Sequence, residues 1–176
     1  GENTAYVDWG NGELMSYTDN TISTSTYVAG NTVKVYGENI NNFDASAQGL
    51  TALDLSNITS LATLYCNQNK LSSLDVSQNT GLTYISCYGN KLGSLDVSKN
   101  TVLTYLSCFD NNISSLNVDQ NTALAMLDCS DNDLTTLDVS QNTLLEELYC
   151  AGNRLNFATL PQAKTSYSDY SFAPQQ

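Results

Sequence analysis

Thiol chemistry is the first chemistry that the sequence offers, because five cysteines recur at one constant interval along the chain. They are Cys66, Cys87, Cys108, Cys129 and Cys150. No two of them form the C-x-x-C pair of a zinc site, and an odd number cannot pair completely in disulfides. Thiols that repeat in register also point the same way, which fits the disulfide torsion poorly. We therefore interpret them as small buried apolar groups, with disulfides and metal or redox chemistry as the alternatives.

Four carboxylates and one asparagine form a second row at the same interval. It comprises Asp54, Asp75, Asp96, Asn117 and Asp138. Carboxylates stacked about 5 Å apart repel each other unless water solvates them or a cation bridges them. Calcium prefers such clusters of oxygen ligands, but the chain has no D-x-D-x-D-G loop. The row therefore predicts a solvated acidic face, with Ca²⁺ binding as the alternative, and we predict no other metal or cofactor.

Acid–base catalysis is the third chemistry to weigh, because Asp128 and Glu147 fall on neighbouring copies of the repeat described below, with Glu146 beside them. Strand spacing predicts that the two carboxylates lie roughly 7 to 9 Å apart. Inverting glycosidases hold their carboxylates at such a separation. An open sheet lacks the pocket that catalysis needs, however, and without histidine there is no Ser-His-Asp or Cys-His pair. We therefore predict that the chain is not an enzyme.

The overall charge excludes further classes of function. The chain carries 18 acidic residues against 6 basic ones, which gives a net charge of −12. Nucleic-acid binding needs a positive surface, which six scattered cations do not supply. The same charge opposes docking on an anionic membrane, and no apolar run is long enough to predict direct membrane insertion. What remains is an acidic binding protein.

The cysteines mark an internal repeat. Five copies of L-x-x-L-x-C-x-x-N-x-L-x-x-L-D-V-S-x-N-T-x begin at Leu61, Leu82, Leu103, Leu124 and Leu145, and a degenerate earlier copy begins at Ile40. Apolar residues alternate up to each cysteine, as Ile85 and Cys87 do, which is the periodicity of a strand with one buried side. The methyl group of Thr101 is also expected to point inward. One repeat cannot bury its apolar face alone, so successive coils must stack with parallel strands about 4.8 Å apart. The asparagines that begin at Asn69 and Asn79 are expected to bond backbone groups of the turns and of adjacent coils.

This consensus resembles the leucine-rich repeat, whose signature is L-x-x-L-x-L-x-x-N-x-L. It is most similar to the short 21-residue bacterial type called IRREKO-like, in which Cys replaces a Leu. The resemblance implies a β-dominated leucine-rich-repeat solenoid of about six coils, with a parallel β ladder and few or no helices. Similar proteins are secreted or attached to the cell surface of bacteria, many of them Bacteroidetes. The resemblance thus also implies a secreted or cell-surface location, with the signal peptide removed, and a role in adhesion.

The repeats divide the chain into three predicted parts. An N-terminal β cap covers residues 1–39, the leucine-rich repeats cover 40–161, and a C-terminal cap or linker covers 162–176. Short strands separated by turn residues are predicted in the N-terminal part, at 5–9, 14–17, 25–28 and 32–36. Because a solenoid needs terminal units that hide the open end of its core, we interpret residues 1–39 as a cap, with an independent binding module as the alternative.

The outward positions of the predicted strands are rich in large side chains. In leucine-rich repeats these positions usually form the exposed, concave ligand face. Here the predicted ligand face comprises Tyr65, Tyr84, Tyr88, Tyr105, Phe109, Met126, Asp128, Glu147 and Tyr149. Exposed aromatic and Met residues are typical of binding hot spots, although cross-strand aromatic pairs also stabilise a sheet by themselves. We predict a non-enzymatic module that binds a protein ligand. Glycan binding on the same face and a structural spacer that presents a missing domain are the alternatives.

Overall fold

The computed structural model describes residues 5–8, 12–17, 21–23, 32–37, 39–156, 158–159, 161 and 169–171. The strands are β1 (Ala5–Asp8), β2 (Leu14–Tyr17), β3 (Thr21–Ser23), β4 (Thr32–Tyr36), β5 (Asn42–Asp44), β6 (Ala52–Asp54), β7 (Thr63–Tyr65), β8 (Tyr84–Ser86), β9 (Tyr105–Ser107), β10 (Met126–Asp128), β11 (Glu147–Tyr149) and β12 (Asp169–Ser171). These residues include no helix, and so none that is long and apolar enough to cross a membrane.

Eight strands form one continuous ladder, in the order β12-β11-β10-β9-β8-β7-β5-β3. Every neighbouring pair in it is parallel. Equivalent residues of successive repeats lie opposite each other, as Leu64 does to Ile85 and Ile85 to Leu106. The repeat interval is therefore one complete turn of a solenoid, and the predicted β-dominated architecture with a parallel ladder is confirmed.

The ladder extends past the repeats at both ends. Residue Ile22 of β3 lies opposite Phe43 of β5, and Tyr170 of β12 lies opposite Leu148 of β11. Neither of these two end strands was predicted from the sequence. Strands β1, β2 and β4 fall within predicted segments, whereas the strand expected at 25–28 lies outside the described residues.

A second sheet of four strands, in the order β2-β1-β4-β6, forms on the other side of the first coils. Strand β1 pairs antiparallel with β2 and with β4, and β4 pairs parallel with β6. Val33 of β4 thus lies opposite Leu53, in the second half of the degenerate repeat. The N-terminal segment continues the stacking of the coils on both sides, through β3 and through β4. The predicted domain boundaries, after residues 39 and 161, stay predictions.

Each coil contributes a constant set of buried apolar side chains to the core. In the coil that begins at Leu82 the set is Leu82, Ile85, Cys87, Leu92, Leu95 and Val97. We also expected the methyl group of Thr101 to point inward, and this was wrong because Thr101 is exposed. Its neighbour Asn100 is fully buried instead, since its amide donates hydrogen bonds to the carbonyl oxygens of Val76 and Asn79.

A ladder of asparagines joins each coil to the coil before it. Its members are Asn69, Asn90, Asn111, Asn132 and Asn153, all buried. The Asn111 Oδ1 accepts a hydrogen bond from the Leu92 N–H at 3.0 Å. Its Nδ2 donates to the carbonyl oxygen of Cys87 in the preceding coil at 3.2 Å and to that of Cys108 in its own coil at 3.0 Å. The expected bonding of backbone groups within and between coils is confirmed, and it leaves these buried polar groups paired.

A second asparagine ladder lies in the opposite turn and is less completely bonded. The amide of Asn121 donates to the Val97 carbonyl oxygen at 3.0 Å and to the Asn100 carbonyl oxygen at 2.9 Å. Among the residues that the structure describes, the buried Oδ1 atoms of Asn79, Asn100 and Asn121 have no hydrogen-bond partner. This row therefore satisfies carbonyl groups of the preceding coil but leaves its own acceptors unused.

The row of aspartates closes turns on the outside of the solenoid. The Oδ1 atom of Asp75 accepts a hydrogen bond from the Ser77 N–H at 2.9 Å, and Asp96 and Ser98 repeat this arrangement at 2.9 Å. These are Asx turns, in which a short polar side chain bonds the backbone two residues further on. Hydrogen bonds from these serines hold the pKa of both carboxyl groups below the usual range. The row thus explains the D-V-S motif, and Ca²⁺ binding by it stays a prediction.

Candidate binding face

The outward positions of strands β7 to β11 and of the residues just after them form three rows across the ladder, which we call the aromatic face. The first row is Thr63, Tyr84, Tyr105, Met126 and Glu147. The second is Tyr65, Ser86, Ser107, Asp128 and Tyr149, and the third is Asn67, Tyr88, Phe109, Ser130 and Ala151. The residues between the first two rows, such as Leu64 and Ile85, are fully buried in the core. Strand alternation therefore places all nine predicted ligand-face residues on one side of the sheet.

Three tyrosine rings contact one another at the centre of this face, and two of them stack. The ring centroids of Tyr84 and Tyr105 lie 4.1 Å apart with 7° between their planes, and Tyr65 contacts Tyr84 at 5.0 Å with a tilt of 44°. The pKa of Tyr84 is raised to about 12, mainly by burial and to a smaller extent by a hydrogen bond to Tyr105. Its hydroxyl therefore stays protonated at neutral pH and acts as a hydrogen-bonding group.

A second pair of rings runs parallel to the first. Tyr88 and Phe109 stack with their centroids 4.4 Å apart and 9° between their planes. Ser86 and Ser107 lie between the two aromatic rows and are only 4% and 3% exposed. The face thus has aromatic rings on either side of a line of small side chains, and the sequence analysis did not recognise this role of the serines.

All nine predicted residues are half-buried, whereas the sequence predicted an exposed sheet surface. For Tyr65, Tyr84, Tyr88, Tyr105 and Phe109 ring contact is one cause, since each ring covers part of its neighbour on the next strand. Such cross-strand pairs contribute roughly 0.2 to 1 kcal/mol each to a sheet, so part of the role of these rings is structural. The outer parts of the rings remain accessible to a partner. The assignment of the nine residues as a ligand site stays a prediction.

Carboxylates lie at both ends of the aromatic face. Asp128 of β10 accepts a hydrogen bond from the Ser130 N–H at 3.1 Å, and burial raises the pKa of its carboxyl group. On β11 the Tyr149 hydroxyl donates to the Glu147 carboxylate at 3.4 Å. At the other end Asp44 of β5 lies opposite Tyr65 in the second row. Asp44 was not among the predicted residues, although its place directly before Ala45, which stands in the cysteine position, assigns it to this row.

The cysteine ladder lies directly behind the aromatic face. All five thiols are free and buried. Burial raises the pKa of the Cys66 thiol to about 12 and that of Cys150 to about 11, and it raises the three between them well above the usual value. Protonated, buried thiols are poor nucleophiles and poor metal ligands. Within the described ranges no group of three or more Cys, Asp or Glu residues is arranged to hold a metal ion.

Stacked coils of one repeat each, with a parallel ladder on one side and asparagines bonded in the turns, define a leucine-rich-repeat solenoid. Solved proteins of this class resemble the chain. The functional domain of InlJ from Listeria monocytogenes, which includes a cysteine ladder, is 34% identical over 81% of this chain and 35% of its own, with a TM-score of 0.54. The internalin inlF from Listeria monocytogenes str. 4b F2365 is 20% identical over 78% of this chain and 50% of its own, with a TM-score of 0.58.

The leucine-rich-repeat protein LIC12759 from Leptospira interrogans is 21% identical over 69% of this chain and 40% of its own, with a TM-score of 0.48. The chain spans half or less of each of these solved proteins. It matches no protein-family model and no curated protein. The predicted leucine-rich-repeat fold class is confirmed, whereas membership of the short 21-residue Bacteroidetes type stays a prediction.

Proposed function

We propose that the chain is a non-enzymatic protein-binding module of a secreted or cell-surface bacterial protein, and that its ligand contacts the aromatic face. The observation that carries the proposal is the pair of stacked aromatic rows on one side of the ladder. Aromatic and Met side chains dominate the energetics of protein interfaces, and a rigid sheet presents them with little loss of entropy on binding. Similarity to the InlJ domain and to an internalin supports an adhesion role outside the cell.

The ring contacts around Tyr84 favour a protein over a glycan at this position. A sugar ring lies flat against an exposed aromatic face, but Tyr84 has a neighbouring ring on each side, at 4.1 Å and 5.0 Å. Tyr105 thus covers one face of this ring and the tilted Tyr65 ring crowds the other, so mainly its edge and hydroxyl group remain for a partner. Ring edges and hydroxyl groups suit the mixed apolar and polar surface of a protein.

Catalysis is not part of the proposal. Asp128 and Glu147 lie on an open sheet surface, whereas acid–base chemistry requires a site that encloses the substrate and excludes water. The hydrolase alternative predicts that the chain releases reducing ends from a polysaccharide and that Asp128→Asn abolishes this release. The spacer alternative predicts no ligand for the aromatic face at all.

The test compares ligand capture by the wild-type chain and by a Tyr84→Ser/Tyr105→Ser variant. Serine already occupies outward positions of the same strands at Ser86 and Ser107, so the substitution suits the sheet. The matched control is Val102→Ser/Leu144→Ser, which removes two exposed apolar side chains, 46% and 61% accessible, from the turns before the strands. Circular dichroism melts establish that each variant is folded.

Each protein is probed with a panel of extracellular-matrix proteins and with a glycan array. We expect a matrix protein to bind the wild type and the control, and to bind the tyrosine variant at least about tenfold more weakly, as loss of a hot spot implies. Glycan hits lost in the same variant would replace the protein ligand with a sugar. Equal binding by the wild type and both variants, or no ligand for the folded wild type in either set, would refute the proposal.

A further inference from the structure

Charge is distributed unevenly around the aromatic face. The three rows continue onto β5, where Asp44 lies opposite Tyr65. The rows and this continuation carry Asp44, Asp128 and Glu147 and no basic residue. The cations of the described part of the chain lie in the turns or on β4; they are Lys34, Lys70, Lys91, Lys99 and Arg154. The ion pair found there joins Arg154 to Asp133, outside the three rows. The carboxylates of the face are therefore not neutralised by the described residues of the chain itself.

The acidic groups flank the rings. Asp44 lies on β5 and Asp128 on β10, with the three contacting tyrosines of β7, β8 and β9 between them. Four strand intervals of about 4.8 Å separate β5 from β10, so the two carboxylates lie about 19 Å apart across the face. A partner that covers the rings thus meets a negative charge at each side of the aromatic contact.

One side of Phe109 is open for such a partner. Tyr88 covers the ring face that points toward β8. On the other side the third row continues with Ser130 and Ala151, which are too small to cover the ring. Asp128 stands two residues before Ser130 and points to the same side of the sheet. A planar cation placed over Ser130 can therefore stack on Phe109 and bond the carboxylate of Asp128 at the same time.

We propose that the protein partner presents a basic segment, with an arginine side chain stacked on Phe109 and paired with Asp128 and a second cationic side chain at Asp44. This inference rests on the proposed function and names the chemistry of the ligand. Arginine fits better than lysine, because a guanidinium group is flat enough to stack and forks to bond a carboxylate with two hydrogen bonds.

The experiment measures fluorescence anisotropy with three labelled peptides that share a leucine framework and carry arginine, glutamine or glutamate at the same positions. We expect the arginine peptide to bind the wild type at least about tenfold more tightly than the glutamine peptide, with an affinity that falls as salt rises. Asp44→Asn/Asp128→Asn should remove most of that preference. Phe109→Leu should reduce it while keeping an apolar side chain at this position.

The control is Asp75→Asn/Asp96→Asn, which removes the same two charges from the aspartate row outside the three rows of the face. All four aspartates accept a serine N–H two residues further on, and asparagine preserves that turn, as Asn117 does naturally. An equal loss in this control would overturn the inference, because the peptide would then respond only to net charge. Equal affinity for the arginine and glutamine peptides would overturn it as well.

Failure of this inference is distinguishable from failure of the proposed function. Suppose that Tyr84→Ser/Tyr105→Ser abolishes binding of a matrix protein and that Asp44→Asn/Asp128→Asn retains it. The aromatic face then binds protein without recognising basic side chains, and only this inference falls. If neither variant changes the binding of that protein, both proposals fall together.

Discussion

The two asparagine ladders allow a sharp test of what holds the coils together. Asn111 and Asn121 lie in the same coil, one in each of its two turns, and both are buried. A cavity argument alone ranks Asn121→Ala as the more costly change, because Asn121 is fully buried whereas Asn111 is 9% exposed. The hydrogen bonds predict the opposite order.

The magnitudes follow from the partners that each change leaves behind. Asn111→Ala orphans the buried N–H of Leu92, at a cost of about 1 to 3 kcal/mol. It also removes one of the two amide donors at each of two cysteine carbonyl oxygens, at about 0.5 to 1 kcal/mol each. Asn121→Ala removes two hydrogen bonds worth about 1 kcal/mol each, but both carbonyl oxygens keep a backbone N–H donor. It also eliminates the unpartnered Oδ1, and this recovers about 1 kcal/mol of the free energy lost with the two hydrogen bonds.

We therefore expect Asn111→Ala to lower the free energy of unfolding by about 3 kcal/mol and Asn121→Ala by about 1 kcal/mol. Urea denaturation followed by far-ultraviolet circular dichroism measures both, and unchanged m-values are required for the comparison. A loss for Asn121→Ala that equals or exceeds the loss for Asn111→Ala would refute the hydrogen-bond reasoning. It would show that filling the interior of the turn matters more than satisfying its backbone groups.

Three further outcomes are expected. Two residues after each cysteine the backbone is left-handed, with φ of 53° at Asp110 and 64° at Gly89. Glycine adopts this conformation without strain, so Asp110→Gly should stabilise the chain by about 1 kcal/mol in the same urea assay. Gly89→Ala should destabilise it by about as much. The five buried cysteines should not react with a thiol reagent in the native protein and should all react in denaturant; rapid native labelling would contradict their burial. Asp128→Asn should raise the free energy of unfolding at neutral pH, because burial raises the pKa of Asp128 above its unfolded value and disfavours the charged folded form. That gain should shrink as the pH falls through the raised pKa, since the wild-type carboxyl group then becomes neutral, and a gain that grows on acidification would contradict the reasoning.

The ladder of the repeats could be predicted because its physical cause lies in the local pattern. A cysteine in each repeat, with an apolar residue two positions before it, defines both the period and the buried side of each strand. The end strands lack this pattern: Asp169–Ser171 contains neither the cysteine nor the flanking leucine of a repeat. They pair with the ladder because an edge strand leaves backbone groups unpaired, which is a property of the neighbouring strand and not of their own residues.

The membership of the aromatic face could also be predicted, but its packing could not. Register placed Tyr65 opposite Ser86, yet its ring contacts Tyr84, one position away along the same face. The small size of Ser86 permits this diagonal contact, and it is one reason why the rings are half-buried. Which neighbour a ring leans toward depends on the sizes of several side chains on adjacent strands. A one-dimensional spacing rule contains no such information.

The repeating hydrogen-bond grid makes the length of this protein adjustable in whole steps. The asparagine hydrogen bonds join each coil to its immediate neighbour, and they recur at the equivalent position of the next repeat. Duplicating or deleting one repeat, such as residues 82–102, would therefore restore the same contacts at the new junction. Each step lengthens or shortens the ladder by about 4.8 Å and changes each row of the aromatic face by one side chain. A gain or loss of any other length breaks the asparagine ladders. Unequal recombination between repeats thus gives this fold a means to match the reach of its surface to a larger or smaller partner while the core stays the same.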